Sequence, residues 1–319
     1  MSDFKLNIED SNLENDNNDS TEKREFLADL DIQSIARVFT NFKKENRILI
    51  IPIGFPQAGK SLLLSSLMYY SRKGEDTLFK TNLEDNFPFD KGRIAVDEMI
   101  KYFNEGKLYE ATAKNTLDLI GINLEPSKNN IPNLNLAFLD LAGEDIKKIK
   151  LSEGLNFTEK ISAVFNGLKI DNSPVIFTLI TPYRPALLDN ETLQSAHDRE
   201  DTLHYDFLNY IEMNQPHLLK SSKFFVIVSQ WDNNPNENEK VEDYIAEKRP
   251  SIYNYVKNKN VVWGEYSIGK LLESEINGLK IQEIVRINRD YPARYWKKLY
   301  QICTGKELDK KTWLQKLFG

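Results

Sequence analysis

The stretch Arg47–Ser61, RILIIPIGFPQAGKS, decides the fold of this chain. Its first part, Arg47–Ile53, is almost entirely apolar, which predicts a strand that is covered on both faces. Its second part, Gly54–Ser61, matches the pattern G-x-x-x-x-G-K-[ST] at every defined position, and leucines at positions 62, 63, 64 and 67 then begin an amphipathic helix. A glycine-rich loop between a buried strand and a helix predicts a site that wraps a phosphate group.

The residues of this loop suit a nucleoside triphosphate. Its glycines allow the backbone to approach a phosphate closely, and the N–H groups at a helix N-terminus supply partial positive charge. Lys60 can reach the β- and γ-phosphates and is a catalytic candidate, while the Ser61 hydroxyl can ligate Mg²⁺. The expected phosphate-binding residues are Gly54, Gln57, Ala58, Gly59, Lys60, Ser61 and Leu62.

The composition excludes several other classes of protein. The net charge of −6 gives no general attraction to nucleic acid. A single cysteine, Cys303, allows neither an intramolecular disulfide bond nor a cysteine-built metal cluster. The N-terminus lacks the features of a signal peptide, and no apolar run approaches the ~20 residues of a membrane span. We therefore expect a cytoplasmic protein with no integral membrane segment and no nucleic-acid partner.

Charge and apolar content divide the chain into a tail and a globular part. The first 25 residues carry eight acidic and three basic side chains, so nearly all of the net charge of −6 lies there. With little apolar content to bury, residues 1–26 are expected to be a disordered acidic tail, with a docking peptide as the alternative. Residues 27–319 are expected to form a single domain with an insertion, or an elaborated switch segment, at residues 74–116. This insertion contains a helical pattern over Ile94–Phe103.

Apolar runs and amphipathic patterns alternate along the globular part. The runs that predict strands are Arg47–Ile53, Leu117–Leu124, Leu134–Asp140, Pro174–Ile180, Lys223–Ser229 and Val261–Ser267. The patterns that predict helices are Lys60–Arg72, Asp201–Met213, Glu239–Lys257 and Pro292–Thr304. This order predicts an α/β fold of the P-loop NTPase type, with three layers and a mainly parallel central sheet.

A second motif, Asp140-Leu-Ala-Gly143-Glu144, stands at the carboxyl end of a predicted strand. A carboxylate there can hold Mg²⁺, and the N–H of Gly143 can approach a γ-phosphate, so the segment resembles the D-x-x-G motif of GTPases. Gly143 and Glu144 are catalytic candidates, since many GTPases carry a water-orienting glutamine at the position of Glu144. The alternatives are a helix cap for Asp140 and a solvent-facing position for Glu144.

Two further motifs lie at the ends of later strands. The segment Ser229–Asp232, SQWD, resembles the N-K-x-D guanine motif of GTPases. Asp232 can accept hydrogen bonds from the N1–H and 2-amino groups of guanine, both absent from adenine, and the stem of Gln230 can lie on the base. The segment Ser267-Ile268-Gly269 resembles the short base-contacting turn of GTPases. The alternative for Asp232 is a loop acid that caps a turn.

A GTPase switch also needs a threonine that completes the coordination of Mg²⁺. Thr112 is the favoured candidate, with Thr116 as the second choice and an ordinary loop position as the alternative for either. Arg93 is a conceivable arginine finger, but an exposed arginine in a charged loop is the default interpretation. Slow intrinsic hydrolysis that a partner accelerates is therefore expected.

The four motifs follow the order found in GTPases of the translation-factor-related class. The segments Leu139–Glu144, Phe224–Asp232 and Tyr291–Trp296 most resemble the bacterial double-GTPase families, which are encoded in pairs, often in conflict or defence gene clusters. The resemblance covers about Arg47–Gly319. It implies a nucleotide-dependent switch in a bacterial cell, with GTP or GDP and Mg²⁺ as ligands and a second GTPase or an effector as its protein partner.

Two other functions remain open from the residues alone. An ATP-dependent ATPase or kinase would use the same loop, although Leu141 stands where a second acid would follow Asp140. A nucleotide-binding scaffold with little hydrolysis would explain the departures from the GTPase motifs at Ser229, Gln230 and Glu144. Nucleotide preference and single-turnover hydrolysis discriminate between these functions.

Overall fold

The computed structural model describes residues 27, 30–55, 58–73, 78–83, 90–107, 117–127, 131–141, 159–171, 174–184, 190–269, 271–276, 279–284 and 290–307. Its helices are α1 (Ile32–Thr40), α2 (Lys60–Lys73), α3 (Asp90–Asn104), α4 (Glu159–Asp171), α5 (Asn190–Asn214), α6 (Pro216–Ser221), α7 (Val241–Lys248), α8 (Pro250–Val256) and α9 (Asp290–Thr304). Its strands are β1 (Arg47–Gly54), β2 (Phe79–Leu83), β3 (Leu117–Pro126), β4 (Leu134–Leu141), β5 (Val175–Pro182), β6 (Lys223–Ser229), β7 (Val261–Tyr266), β8 (Leu271–Ile276) and β9 (Leu279–Ile284). The predicted tail lies outside the described residues.

Seven strands form one sheet in the order β2-β3-β4-β1-β5-β6-β7. The strands β4, β1, β5, β6 and β7 are parallel to one another. Each of β2 and β3 is antiparallel to its neighbours. In the centre of the sheet, Ile50 of β1 lies opposite Phe138 of β4 and Ile176 of β5. The predicted α/β fold with a mainly parallel sheet is confirmed.

Helices cover both faces of this sheet, so the structure has three layers. Leu49, Ile51 and Ile53 of β1 belong to a hydrophobic cluster with α1 and α4–α8. Ile50 belongs to a second cluster, on the other face, with α2, α3 and α9. All four side chains are fully buried. The apolar sequence of β1 follows from this arrangement, because neither face of a covered strand reaches water.

The six predicted strands are all present, with ends shifted by at most two residues. The predicted helix Asp201–Met213 is part of the longer α5, and Lys60–Arg72 and Pro292–Thr304 correspond to α2 and α9. The sequence analysis missed α1, α4 and α6. Among the helices in the described part of the chain, none combines the length and the apolar character that crossing a bilayer requires.

The predicted helix Glu239–Lys257 is wrong as a single element, because α7 and α8 are separated at Arg249. Pro250 has no N–H and restricts the residue before it, and the backbone of Arg249 (φ −139°, ψ 57°) is not helical. The carboxylate of Asp201 on α5 accepts hydrogen bonds, each at 2.9 Å, from two N–H groups in the first turn of α8. A cap from a different helix thus stabilises the new start.

The predicted insertion at residues 74–116 contains β2 and α3, and α3 extends the predicted helix Ile94–Phe103. β2 pairs with β3 and lies at the edge of the sheet. Its short, half-polar sequence FKTNL carries no strong periodic signal, so the sequence analysis missed it. The separate hairpin β8–β9 was also missed. Here the sequence holds a signal, because the pair Asn277-Gly278 between the two strands is typical of a two-residue hairpin turn.

Candidate functional site

Four segments singled out in the sequence meet at one edge of the sheet. The glycine-rich loop leaves the carboxyl end of β1, and Asp140 lies at the carboxyl end of β4. The segments that begin at Ser229 and Ser267 lie at the ends of β6 and β7. These strands are parallel, so their carboxyl ends lie on the same side. In open α/β sheets this is the edge where ligands bind.

Two glycines give the loop its shape. A Cβ atom on Gly54 would lie 2.6 Å from the backbone oxygen of Ile180 on β5, so this close approach requires glycine. Gly59 has a φ of 87°, in the left-handed region that glycine favours. Helix α2 begins at the next residue, Lys60, so its N-terminal N–H groups lie at this edge of the sheet. The backbone therefore offers an anion-binding helix end directly after a tight loop.

Lys60 places a buried cation in the loop, with 8% of its surface exposed. Its Nζ donates a hydrogen bond to the backbone oxygen of Gly54 at 2.8 Å, and a longer one at 3.4 Å to that of Phe55. Burial lowers the pKa of Lys60 below its ordinary value, and the negative charge of nearby Asp140 opposes that shift. A phosphate in the loop would add negative charge and so favour the charged form of Lys60.

Oxygen ligands suited to Mg²⁺ lie on α2 and β4. Ser61 is partly exposed in the first turn of α2, and Asp140 on β4 is 2% exposed. In the part of the chain that the structure describes, no group of three or more His, Cys, Asp and Glu side chains is placed to hold a metal ion. A single carboxylate and a hydroxyl fit Mg²⁺, which proteins commonly hold through few side chains together with nucleotide phosphates.

Ser229 connects the end of β6 to the glycine-rich loop. Its hydroxyl donates a hydrogen bond to the backbone oxygen of Ala58 at 2.8 Å, and both residues are buried. Ser229 therefore supports the loop. The next residue, Gln230, is exposed and has a left-handed backbone with a φ of 56°. The chain thus turns sharply where β6 ends.

A hydrogen bond joins the two segments expected to contact the base. The hydroxyl of Ser267, a buried residue after β7, donates to Oδ1 of Asp232. Asp232 itself is exposed, in a short 3₁₀ turn after β6. Ile268 is buried, and Gly269 has a φ of 124° that suits glycine. Ser267 therefore fixes the orientation of an exposed carboxylate at the edge of the sheet.

The structure brings most of the predicted site residues together and does not describe the others. The residues placed at this edge are Gly54, Ala58, Gly59, Lys60, Ser61, Leu62, Asp140, Gln230, Asp232, Ser267 and Ile268. Gln57, Thr112, Gly143 and Glu144, together with the alternative Thr116, lie outside the described residues. Arg93 is exposed on α3.

Several supporting residues of the site were missed from sequence. The hydroxyls of Ser66 on α2 and Tyr266 on β7 are hydrogen-bonded to each other in the interior. Trp231, beside Asp232, packs edge-on against Tyr183 and Tyr244, with ring centroids 5.5 and 6.1 Å away. These partners lie far apart in the chain, so no local pattern of residue types could have predicted the contacts.

The sheet order, with a glycine-rich loop between its central strand and a helix, defines the P-loop NTPase fold. No protein-family model matches the chain, and no curated protein matches it. Among solved structures, the chain is similar to a dimerization-deficient mutant of Toc33 from Arabidopsis thaliana, with 10% identity, a TM-score of 0.36 and coverage of 86% of this chain and 93% of that chain. It is also similar to nucleolar GTP-binding protein 1 from Plasmodium falciparum, with 13% identity, a TM-score of 0.31 and coverage of 70% and 77%. Likeness at this level carries no argument about the ligand, which is inferred from the site residues instead.

Proposed function

We propose that this protein binds GTP with Mg²⁺, hydrolyses it to GDP and phosphate, and acts as a nucleotide-dependent switch. The observation that carries the proposal is a pair of hydrogen bonds that connect the glycine-rich loop to the segment with an oriented carboxylate. Ser229 bonds to the loop at Ala58, and Ser267 holds Asp232 three residues further along the same segment. The phosphate and base ends of one nucleotide can therefore be held at the same edge.

The proposed phosphate end consists of backbone N–H groups and one cation. The N–H groups of the loop and of the first turn of α2 surround the phosphates, and Lys60 contacts the β- and γ-phosphates. Ser61, Asp140 and Thr112 hold Mg²⁺, which neutralises part of the phosphate charge when bound. The partners of Lys60 in the structure support this role, because backbone oxygens of the loop keep its ammonium group within the loop.

The proposed base end discriminates guanine from adenine. Asp232 accepts hydrogen bonds from N1–H and the 2-amino group of guanine, and Gln230 and Ile268 flank the base. Adenine offers neither donor, so it would leave the desolvated carboxylate without these partners, which is costly. The bond from Ser267 supports this role because it fixes one carboxylate oxygen before the ligand arrives.

The proposed hydrolysis uses Lys60 to stabilise charge on the transferred phosphoryl group, with Gly143 and Glu144 beside the γ-phosphate. A glutamate can orient water, but its negative charge beside a phosphate keeps intrinsic turnover slow. We expect a protein partner, a second GTPase or an effector, to accelerate it. A role in a bacterial conflict, defence or signalling system, in the cytoplasm, is the biological part of this proposal.

The first experiment is a titration of the full chain with fluorescent GTP and ATP analogues, with and without Mg²⁺. A Mg²⁺-dependent preference for the GTP analogue is expected, because only guanine satisfies Asp232. Equal binding, or a preference for the ATP analogue, would leave the phosphate-binding loop in place, remove the GTPase proposal and favour an ATPase.

Single-turnover hydrolysis separates a switch enzyme from a scaffold. Excess protein is mixed with radiolabelled GTP and Mg²⁺, and released phosphate is followed over hours. Slow release is expected. Complete binding of GTP without any release of phosphate would favour the nucleotide-binding scaffold.

A further inference from the structure

His204 lies beneath the phosphate-binding loop, although it belongs to helix α5. Its Nε2 is 3.2 Å from the backbone oxygen of Ile53, the residue before Gly54. Its Nδ1 is 2.9 Å from the backbone oxygen of Glu200, one turn earlier in α5. The side chain is completely buried. One imidazole ring therefore joins α5 to the strand that leads into the loop.

Both partners of His204 are carbonyl oxygens, which only accept hydrogen bonds. Each contact therefore requires a proton on the ring nitrogen that makes it, and a neutral ring can keep only one of the two bonds. Burial lowers the pKa of His204, while the two carbonyls and the charge of Glu200 oppose that shift. The neutral ring keeps the bond to Ile53 only as the Nε2–H tautomer, and the charged ring makes both bonds.

A buried network of charged side chains fixes the helix that carries His204. The carboxylate of Glu200 accepts hydrogen bonds from Thr181 at 3.0 Å and Arg184 at 2.8 Å, and also from Arg249. Arg249 is completely buried and also donates to Nδ1 of His197. The charged groups that act on His204 are Glu200 on α5 and Arg249 between α7 and α8. These bonds attach α5 to the end of β5 and so hold the helix that carries His204 beside the sheet.

We propose that His204 is a positioning residue for the phosphate-binding loop, holding the carbonyl of Ile53 through Nε2–H. The inference rests on the proposed nucleotide binding and deepens it. Gly54 follows Ile53 directly and packs against the backbone of Ile180 without room for a Cβ atom. A shift of Ile53 is therefore transmitted to the loop N–H groups that face the phosphates.

The first test is ¹⁵N NMR of the full chain with labelled histidine, with the His204 signals assigned from a variant that lacks this residue. A proton on Nε2 is expected, and addition of GDP with Mg²⁺ should move the ring signals of His204 more than those of His197. A bare Nε2, or no response to bound GDP, would overturn the proposal.

The second test compares variants that remove or retain the donor. His204→Leu should weaken binding of fluorescent GTP and ATP analogues equally, by about tenfold for one lost hydrogen bond. His204→Gln, which can place an N–H near the position of Nε2, should restore affinity to within about threefold. His217→Leu is the control, because His217 lies on α6, which precedes β6 at the opposite edge of the sheet, and this variant should bind as the wild type does.

The outcomes separate the inference from the function on which it rests. Native affinity in a folded His204→Leu variant would remove His204 from its positioning role while leaving GTP binding intact. Wild-type protein that binds no nucleotide would overturn the proposed function. If His204→Leu does not fold, the proton on Nε2 and its response to GDP decide the question in the wild-type protein.

Discussion

The phosphate end and the base end of the candidate site are built in different ways. The phosphate end is one continuous segment, Gly54–Ser61, whose loop and helix start follow each other directly. The base end is assembled from two segments, because Asp232 after β6 is held by Ser267 after β7. The continuous loop motif matches its sequence pattern at every defined position. The assembled base end produces only two partial matches, one for each segment.

The two ends also differ in which amino-acid substitutions they should tolerate. At the phosphate end the backbone supplies most of the proposed contacts, so the geometry requires glycine at position 54 and favours it at position 59. At the base end, side chains supply the proposed contacts, and bonds between neighbouring segments hold these side chains in place. Ser229 illustrates such a bond, since its hydroxyl donates to the loop at Ala58.

The largest effect is expected for Lys60→Ala. Loss of charged hydrogen bonds to two phosphates should weaken binding of GTP and ATP analogues by about 1000-fold, or about 4 kcal/mol. The fold should remain, since the hydrogen bonds of Lys60 within the described part of the chain go to the first two carbonyls of the loop. Fluorescence titration measures the affinity, and circular dichroism checks the fold. Near-native affinity would show that the loop is not the phosphate site.

Asp232→Asn should change the choice of base without changing the phosphate end. We expect about 100-fold weaker binding of a GTP analogue and improved binding of a xanthosine triphosphate analogue, whose 2-oxo group accepts from an amide. Competition titrations with the two analogues provide the measurement. An unchanged preference for GTP would exclude Asp232 from the base site and would contradict the assignment of a base end to this segment.

Ser229→Ala tests the connection between the two ends. Removing the hydroxyl that bonds to Ala58 should weaken binding of GTP and ATP analogues alike, by about fivefold, or about 1 kcal/mol. Ser222→Ala is the control. Ser222 is also buried, and its hydroxyl also bonds to a backbone oxygen, but it precedes β6 at the opposite edge of the sheet. Equal losses in both variants would indicate a general effect on stability.

The smallest effect concerns His197, which belongs to neither end. Burial and the charge of Arg249 lower the pKa of His197 from 6.5 to about 4. Between these values the unfolded chain binds the proton more readily, so the stability that neutral His197 contributes is lost as pH falls. We expect this residue to account for less than about 1 kcal/mol of the difference in unfolding free energy between pH 8 and pH 6.

Urea unfolding of the wild type and of His197→Gln at both pH values measures this contribution. The pH dependence should be weaker in the variant by that amount. An identical pH dependence in both proteins would mean that His197 is not held neutral by its surroundings, and the affinity for GTP should be unaffected in either case.

The sequence predicted the sheet well because six strands are apolar runs whose hydrophobicity reports burial directly. The sequence analysis failed where an element is determined by a contact with a residue far away in the chain. The predicted helix Glu239–Lys257 is divided because Pro250 interrupts it and Asp201, from another helix, caps its second half. Edge strand β2 was missed because it is short and only alternate side chains, Phe79 and Thr81, are buried, so it has no apolar run. Gly143, Glu144 and Thr112 stay predictions, since they lie outside the described residues.

The sequence by itself determined the glycine-rich loop, the α/β fold class and the edge of the sheet where the motifs lie. Neighbouring residues suffice to predict these features. Glycines favour the loop conformation, and continuous apolar runs indicate strands that are buried on both faces. Only the tertiary structure decided that Ser229 supports the loop, that Ser267 orients Asp232 and that His204 contacts Ile53. Each of these bonds joins residues that lie far apart in the chain, and such pairs produce no periodic pattern in the sequence.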